Sequence, residues 1–154
     1  MEPTDASGVF AREFDEIDRA VQVGFAAGRV ISVSFPADAP DDAVTDHELL
    51  DRIGAYLQGQ RDGFDEVDVG LTVPTDQRTV LEALQTIPYG ESVSVSRLAR
   101  LAALDADDPD DLELVTAALD ENPIPMLFPD HRVQGGPYAT PGSVRAVLRR
   151  VEGL

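Results

Sequence analysis

NPIPMLFPDHRV, residues 122–133, is the stretch on which the reading of the whole chain turns. Pro123, Pro125 and Pro129 each lack a backbone donor, so the stretch cannot continue a helix or serve as a central strand. It reads as a proline-bracketed loop. The apolar run at 124–128 leads through Pro129 to Asp130, His131 and Arg132, three polar side chains in a row. Asn122 stands at its start, where a preceding helix must stop.

Working back from this loop, residues 112–119 carry Leu112, Val115, Ala118 and Leu119 at helical spacing and predict a short helix. DADDPDD (105–111) is an acidic turn. Leu98, Leu101 and Leu104 predict a helix that Ser96 can cap, after an extended link at 92–94. A longer helix, with Val80, Leu81, Leu84 and Ile87 facing inward, opens at Thr75 as its expected N-cap and stops at Pro88-Tyr89-Gly90. Two short helices joined by a turn after a longer one form a helix-turn-helix arrangement. Forward of the loop, Gly135-Gly136-Pro137-Tyr138 is a tight turn, and residues 143–152 predict a closing helix.

Residues 1–20 read as a mixed, acidic lead-in to the first strand. AVQVGFAAGRVISVSF (20–35) predicts two strands around a turn at Ala26-Ala27-Gly28-Arg29. PADAPDDAVTD (36–46) is a loop. Residues 47–58 predict a helix with Leu49, Leu50, Ile53, Tyr56 and Leu57 on one face, and His47 as a surface residue at its start. Residues 64–73 alternate and predict a short strand.

Composition narrows the chemistry. The 154 residues contain no cysteine, so thiol chemistry is excluded. Two histidines without cysteine give no basis for a transition-metal site, and neither metal nor cofactor is expected. No run of about 18 apolar residues is present, and the acidic first residues do not resemble a secretory signal. A cytoplasmic monomer without membrane contact is expected. Net charge is −17, and all 12 basic residues are arginine. This is the pattern of cytosolic proteins from extreme halophiles, whose carboxylates keep the surface hydrated where molar salt cuts the Debye length to roughly 3 Å. In that setting, net acidity loses much of its force as an argument against nucleic acid. Residues 1–74 carry 5 arginines and 16 acids, residues 75–154 carry 7 and 13, so basic side chains are relatively enriched in the second half.

Taken in order, these landmarks resemble the alkylguanine-DNA alkyltransferase family, the methylated-DNA–protein-cysteine methyltransferases, and its cysteine-lacking alkyltransferase-like relatives. They are Thr75-Asp76-Gln77-Arg78, Ile87-Pro88-Tyr89-Gly90-Glu91, Ser94 before Leu98-Ala99, Asn122-Pro123-Ile124-Pro125, Pro129-Asp130-His131-Arg132-Val133, and Tyr138 before the last helix. Leu57-Gln58-Gly59 and Phe64 match more weakly upstream. The resemblance implies a reduced α/β N-terminal domain over 1–72. It also implies a mainly helical, winged-helix-like DNA-binding domain over 73–154. It further implies that an alkylated guanine is flipped out of duplex DNA into a pocket, where a cysteine takes the alkyl group. A His and a Glu activate that cysteine through a water.

Carried over residue by residue, His131 and Glu152 fall at the positions of that His and Glu. Asn122 falls at the residue bridging the recognition element to the loop, and Tyr138 at a pocket wall. Asn122, Pro129, Arg132 and Tyr138 would thus frame the lesion pocket. The departures are as informative. The nucleophile position holds Asp130, the phosphate-rotating tyrosine is Val95, the hydroxyl facing the modified oxygen is Ala139, and the intercalating arginine is Glu113. The recognition-helix region 110–121 holds five acids and no base.

Asp130 can be read as a weak carboxylate nucleophile or as a salt-bridged or hydrogen-bonded loop residue. His131 and Glu152 can be read as a remnant acid–base pair or as a buried pair that holds the loop on the last helix. Arg97 and Arg100 can contact DNA backbone or be salt-bridged surface residues, and Arg145 and Arg149 lie one turn apart on the last helix. The expectation is a non-catalytic protein that binds DNA containing an alkylated guanine and hands it to a repair partner. The alternatives are a scaffold that has left DNA, and an enzyme that uses Asp130.

Overall fold

The computed structural model describes residues 8–64 and 66–154. Three strands, β1 (Gly8–Phe14), β2 (Arg19–Ala26) and β3 (Arg29–Ser34), form an antiparallel sheet in the order β1-β2-β3. The hairpin expected around residues 26–29 forms. Ala27 and Gly28 both take positive φ, 52° and 78°, as the tight turns that match strand twist require. β1 lies inside the stretch read as a lead-in, whose first seven residues fall outside the described ones. Its charges at Arg12 and Glu13 obscure an alternation that buries Phe10 and Phe14 on the core face.

α1 (Glu48–Leu57) buries the five apolar residues expected of it. His47 is its N-cap: Nδ1 accepts the Leu49 N–H at 2.9 Å, and the ring packs between Phe10 and Phe25. Among the described residues of 64–73 no strand forms. Phe64 turns the chain at φ 56°, and the segment meets β3 in a single bridge at Val30 and Val69. Two hydrogen bonds to Val30, from its N–H to Asp68 and from Gly70 to its carbonyl, are the whole pairing.

α2 (Thr75–Leu84), α3 (Val95–Leu101) and α4 (Pro109–Asp120) pack against one another, and α5 (Gly142–Val151) closes the chain beside α1. The caps differ from the sequence reading. Pro74, not Thr75, is the N-cap of α2, so Thr75 already lies in the helix and its side chain caps nothing. Ser94, not Ser96, caps α3 by accepting the Arg97 N–H, because the chain is still extended at Ser94 and helical from Val95. α4 starts three residues earlier than read. Asp108 caps it and Pro109 fills its first turn, where a missing N–H costs nothing.

A two-residue parallel pair joins β4 (Val93–Ser94) to β5 (Val133–Gln134), so the end of the 122–133 loop is hydrogen-bonded to the start of α3. The other end is tied to the sheet, where the Val33 N–H donates to the Pro123 carbonyl at 3.0 Å. Among the described residues no helix is long and apolar enough to cross a membrane.

His47→Ala is expected to lower the unfolding free energy by about 1 kcal/mol through the lost cap. His47→Asn, which keeps an acceptor, should recover part of that loss. Urea unfolding of the three proteins at one salt concentration measures both.

Candidate functional site

The 122–133 loop is built around Asn122. Its amide Nδ2 donates to the Phe128 carbonyl at 2.9 Å, and its Oδ1 accepts the Ile124 N–H at 3.0 Å. One side chain therefore staples both ends of the apolar turn. Met126, inside the staple, is held at φ 75°, a conformation that costs a non-glycine residue on the order of 1 kcal/mol. Residues 124–129 are buried. Beyond them, Asp130–Arg132 form one 3₁₀ turn, which sends consecutive side chains to different partners.

His131 and Arg132 turn toward Glu152, the residue just past α5. Arg132 grips it with two guanidinium nitrogens, Nε to Oε1 at 2.8 Å and Nη2 to Oε2 at 3.0 Å, and its Nη1 donates to the Ile87 carbonyl at 2.8 Å. His131 Nε2 lies 2.7 Å from Oε2. The Tyr56 hydroxyl donates to the same oxygen, and the Gly90 N–H donates to Oε1 at 3.0 Å. Gly90 takes φ 81°, which orients its N–H to the carboxylate.

Burial by itself raises the Glu152 carboxyl. The hydrogen bonds from His131 and Arg132, the charge on His131 and the Gly90 N–H outweigh it and hold the group well below the usual carboxylate range. Burial and the neighbouring Glu152 push the Tyr56 phenol far up, so it stays a donor. An ionised Glu152 can only accept, so His131 Nε2 carries the proton in this contact. The other ring nitrogen, Nδ1, is buried without a hydrogen-bond partner among the described residues.

Asp130 turns the other way and is fully buried. Its Oδ2 accepts the Ala139 N–H at 2.8 Å and the Thr140 N–H at 3.1 Å, and its Oδ1 accepts the Thr140 hydroxyl at 2.6 Å. Burial pushes its carboxyl above the ordinary value, against these hydrogen bonds. Asp130 is thus the hydrogen-bonded loop residue of the sequence reading, with partners at 139–140 and not at Arg132. It makes no hydrogen bond to His131, so Asp130, His131 and Glu152 do not form a relay.

Tyr138 closes the side of the loop. Its hydroxyl donates to the Val133 carbonyl at 2.8 Å, and the Arg145 guanidinium lies 4.0 Å from its ring centre. A Cβ at Gly136 would come within 2.4 Å of that ring, so any larger residue there would force the ring to move. Arg149 donates to the His131 carbonyl at 2.7 Å.

The structure brings Asn122, Pro129, Asp130, His131, Arg132, Tyr138 and Glu152 into one loop and its supports. It leaves Arg97, Arg100 and Glu113 exposed on α3 and α4, away from these contacts. Among the described residues, Arg132 alone of the arginines in 75–154 pairs with a carboxylate, so Arg97 and Arg100 are not salt-bridged. The sequence reading missed Tyr56 and Thr140. A tyrosine on a fully apolar helix face was the available signal for Tyr56, since a buried hydroxyl needs a partner.

The family described as 6-O-methylguanine DNA methyltransferase, DNA binding domain, matches residues 75–150. A methylated-DNA–protein-cysteine methyltransferase of Mycolicibacterium paratuberculosis is 37% identical over 86 residues, 56% of this chain and 49% of that protein. The chain thus spans about half the length of that relative. A probable methylated-DNA–protein-cysteine methyltransferase of Acanthamoeba polyphaga mimivirus is 31% identical over 107 residues, 70% of this chain and 68% of that protein. The solved Mycobacterium tuberculosis O6-methylguanine methyltransferase superposes with TM-score 0.73 at 23% identity, covering 94% of this chain and 93% of that one. A structure of M. tuberculosis OGT in complex with DNA gives TM-score 0.71 at 24% identity, over 93% and 92%.

Glu152→Gln is expected to destabilise the protein by about 3–5 kcal/mol at neutral pH, because Arg132 stays buried without its charge partner. Glu152 is held below its ordinary value, so its contribution is complete above roughly pH 4.3 and is lost as the pH falls from there toward its folded value. Asp130 is held above its ordinary value and acts in the opposite direction, but it is common to both proteins. The stability difference between the two proteins should therefore stay flat at neutral pH and shrink on acidification, as read by denaturation at a series of pH values.

Proposed function

Because the chain belongs to the methylated-DNA–protein-cysteine methyltransferase family, we propose that it is a non-catalytic, alkyltransferase-like member that binds duplex DNA carrying an alkylated guanine. The observation that carries this reading is the state of the loop. Asn122, His131, Arg132 and Glu152 keep the loop braced around Asp130, the residue that the resemblance puts at the family's nucleophile position. An arginine, a histidine and a glutamate buried together cost more to desolvate than apolar residues of the same volume, and what they provide is a loop held in one conformation, as a binding pocket requires.

In this reading residues 73–154 are the DNA-binding unit. α3 and α4 serve as its helix-turn-helix, and β4 and β5 as a minimal wing. Arg97 and Arg100 contact phosphates, and Asn122, Pro129, Arg132 and Tyr138 frame the pocket. A repair partner would take over the lesion, and the protein would act as a cytoplasmic monomer at molar salt. Catalysis by Asp130 is the weaker reading. Carboxylates are poor nucleophiles toward alkyl carbons, and all three hydrogen bonds to Asp130 draw further on its lone pairs.

One observation favours a second reading, a scaffold that no longer meets DNA. α4 exposes Asp110, Glu113 and Asp120 and carries no basic residue. Molar salt screens the repulsion this creates but does not supply the contacts an arginine would make.

Fluorescence anisotropy in molar KCl, with duplexes carrying or lacking O6-methylguanine, separates the two. The lesion reading expects tighter binding to the methylated duplex, and equal weak binding to both would sink it. Glu113→Arg is expected to strengthen binding to both duplexes several-fold and to steepen its salt dependence. A scaffold would show no such gain.

A further inference from the structure

A cleft of about 210 Å³ opens between the start of β3, the segment at 69–71 and α2, with Phe128 of the 122–133 loop in its wall. Arg29 at the start of β3 and Arg78 near the start of α2 both line it. The Arg29 stem runs beside Gly70: a Cβ on that glycine would meet the arginine's Cβ at 3.7 Å and its Cδ at 3.8 Å. Arg78 Nη2 donates to the Leu71 carbonyl at 3.0 Å, which holds its guanidinium at the cleft. Glu82, one turn further along α2, lines the same cleft. Residues four apart on a helix are neighbours that can pair. Arg78 and Glu82 nevertheless form no ion pair, and among the described residues Arg29 forms none either.

Acids outnumber arginines 29 to 12 in this chain, so two arginines sharing a cleft without a carboxylate partner stand out. Guanidinium groups in that position suit an oxyanion, whose oxygens they can bond in pairs. Glu82 decides which oxyanion. An ionised carboxylate only accepts hydrogen bonds, so it repels an anion whose oxygens are all bare and bonds one that carries an O–H. Inorganic phosphate keeps at least one hydroxyl at neutral pH. Sulfate has none, and neither has the phosphodiester of a nucleic-acid backbone. We propose that the cleft binds inorganic phosphate, with Arg29 and Arg78 donating to its charged oxygens and Glu82 accepting from its hydroxyl. The ion then ties β3, the 69–71 segment and α2 together beside Phe128, whose carbonyl Asn122 holds. Gln85, on the same wall, donates to the Leu127 carbonyl at 3.4 Å, so the cleft and the loop share a boundary. Asn122, Pro129, Arg132 and Tyr138 do not line the cleft, and the proposal does not rest on the lesion reading.

The test titrates the full chain with potassium phosphate and, separately, with potassium sulfate, each replacing potassium chloride at constant ionic strength. Both salts strengthen folding non-specifically, so the readout is not Tm but the amide NMR signals of Gly70 and Leu71. The expected result is a saturable shift with phosphate, half-complete at a concentration roughly tenfold below that of any response to sulfate. No saturable shift, or an equal response to both anions, overturns the proposal.

Two variants at exposed positions assign the roles. Arg29→Gln is expected to weaken phosphate binding by roughly tenfold. Glu82→Gln is expected to erase the preference for phosphate over sulfate, because an amide can donate to a bare oxygen as well as accept from a hydroxyl. An Arg29→Gln protein that binds phosphate like wild type, or a Glu82→Gln protein that still discriminates, overturns the proposal. An unmethylated duplex that moves the same two amides as phosphate does would make the cleft a nucleic-acid contact and overturn it too.

Discussion

The carboxylate of Glu152 is the constraint on which the rest of the site depends. It collects donors from α1, from the turn after α2 and from the 122–133 loop, through Tyr56, Gly90, His131 and Arg132. A buried carboxylate is tolerable only when its lone pairs are engaged, and here every one of them is. The cost of burying the charge is offset locally, and the by-product is geometric. Three segments far apart in sequence are held to one atom pair, which leaves each little freedom to shift.

Around that anchor the loop is braced at three more points. The Asn122 side chain closes its apolar turn, Val33 of the sheet bonds its beginning, and the β4–β5 pair ties its end to α3. The left-handed residue at Met126 persists because these ties surround it. The sheet and the helical part thus share responsibility for the same dozen residues.

Much of this was legible in the sequence. The hairpin at residues 26–29 and the apolar faces of α1, α2 and α4 follow from period alone. His131 and Glu152 could be singled out, though only through resemblance, since their 21-residue separation has no local signature. What escaped has physical reasons. β1 hides its alternation behind Arg12 and Glu13. Ser94 and Ser96 are both good caps, and only the extended backbone at β4 decides between them. Residues 64–73 alternate like a strand, but the turn at Phe64 limits them to one bridge. Tyr56 reads as core, and its partner lies 96 residues away. The Thr140 hydroxyl gives no signal at all, because what makes it matter is a carboxylate ten residues earlier that the fold brings to it.

The 3₁₀ turn that parts Asp130 from its two neighbours also separates chemistry from architecture along the chain. The loop is held through positions 131, 132 and 152, while position 130 is held by an independent set of donors. A change at 130 therefore leaves the scaffold's own fastenings intact, so the side chain presented there can be altered by a single codon without the fold having to be reinvented. In such a design the residue at position 130 is a detachable part, exchangeable while the braced loop around it stays as it is.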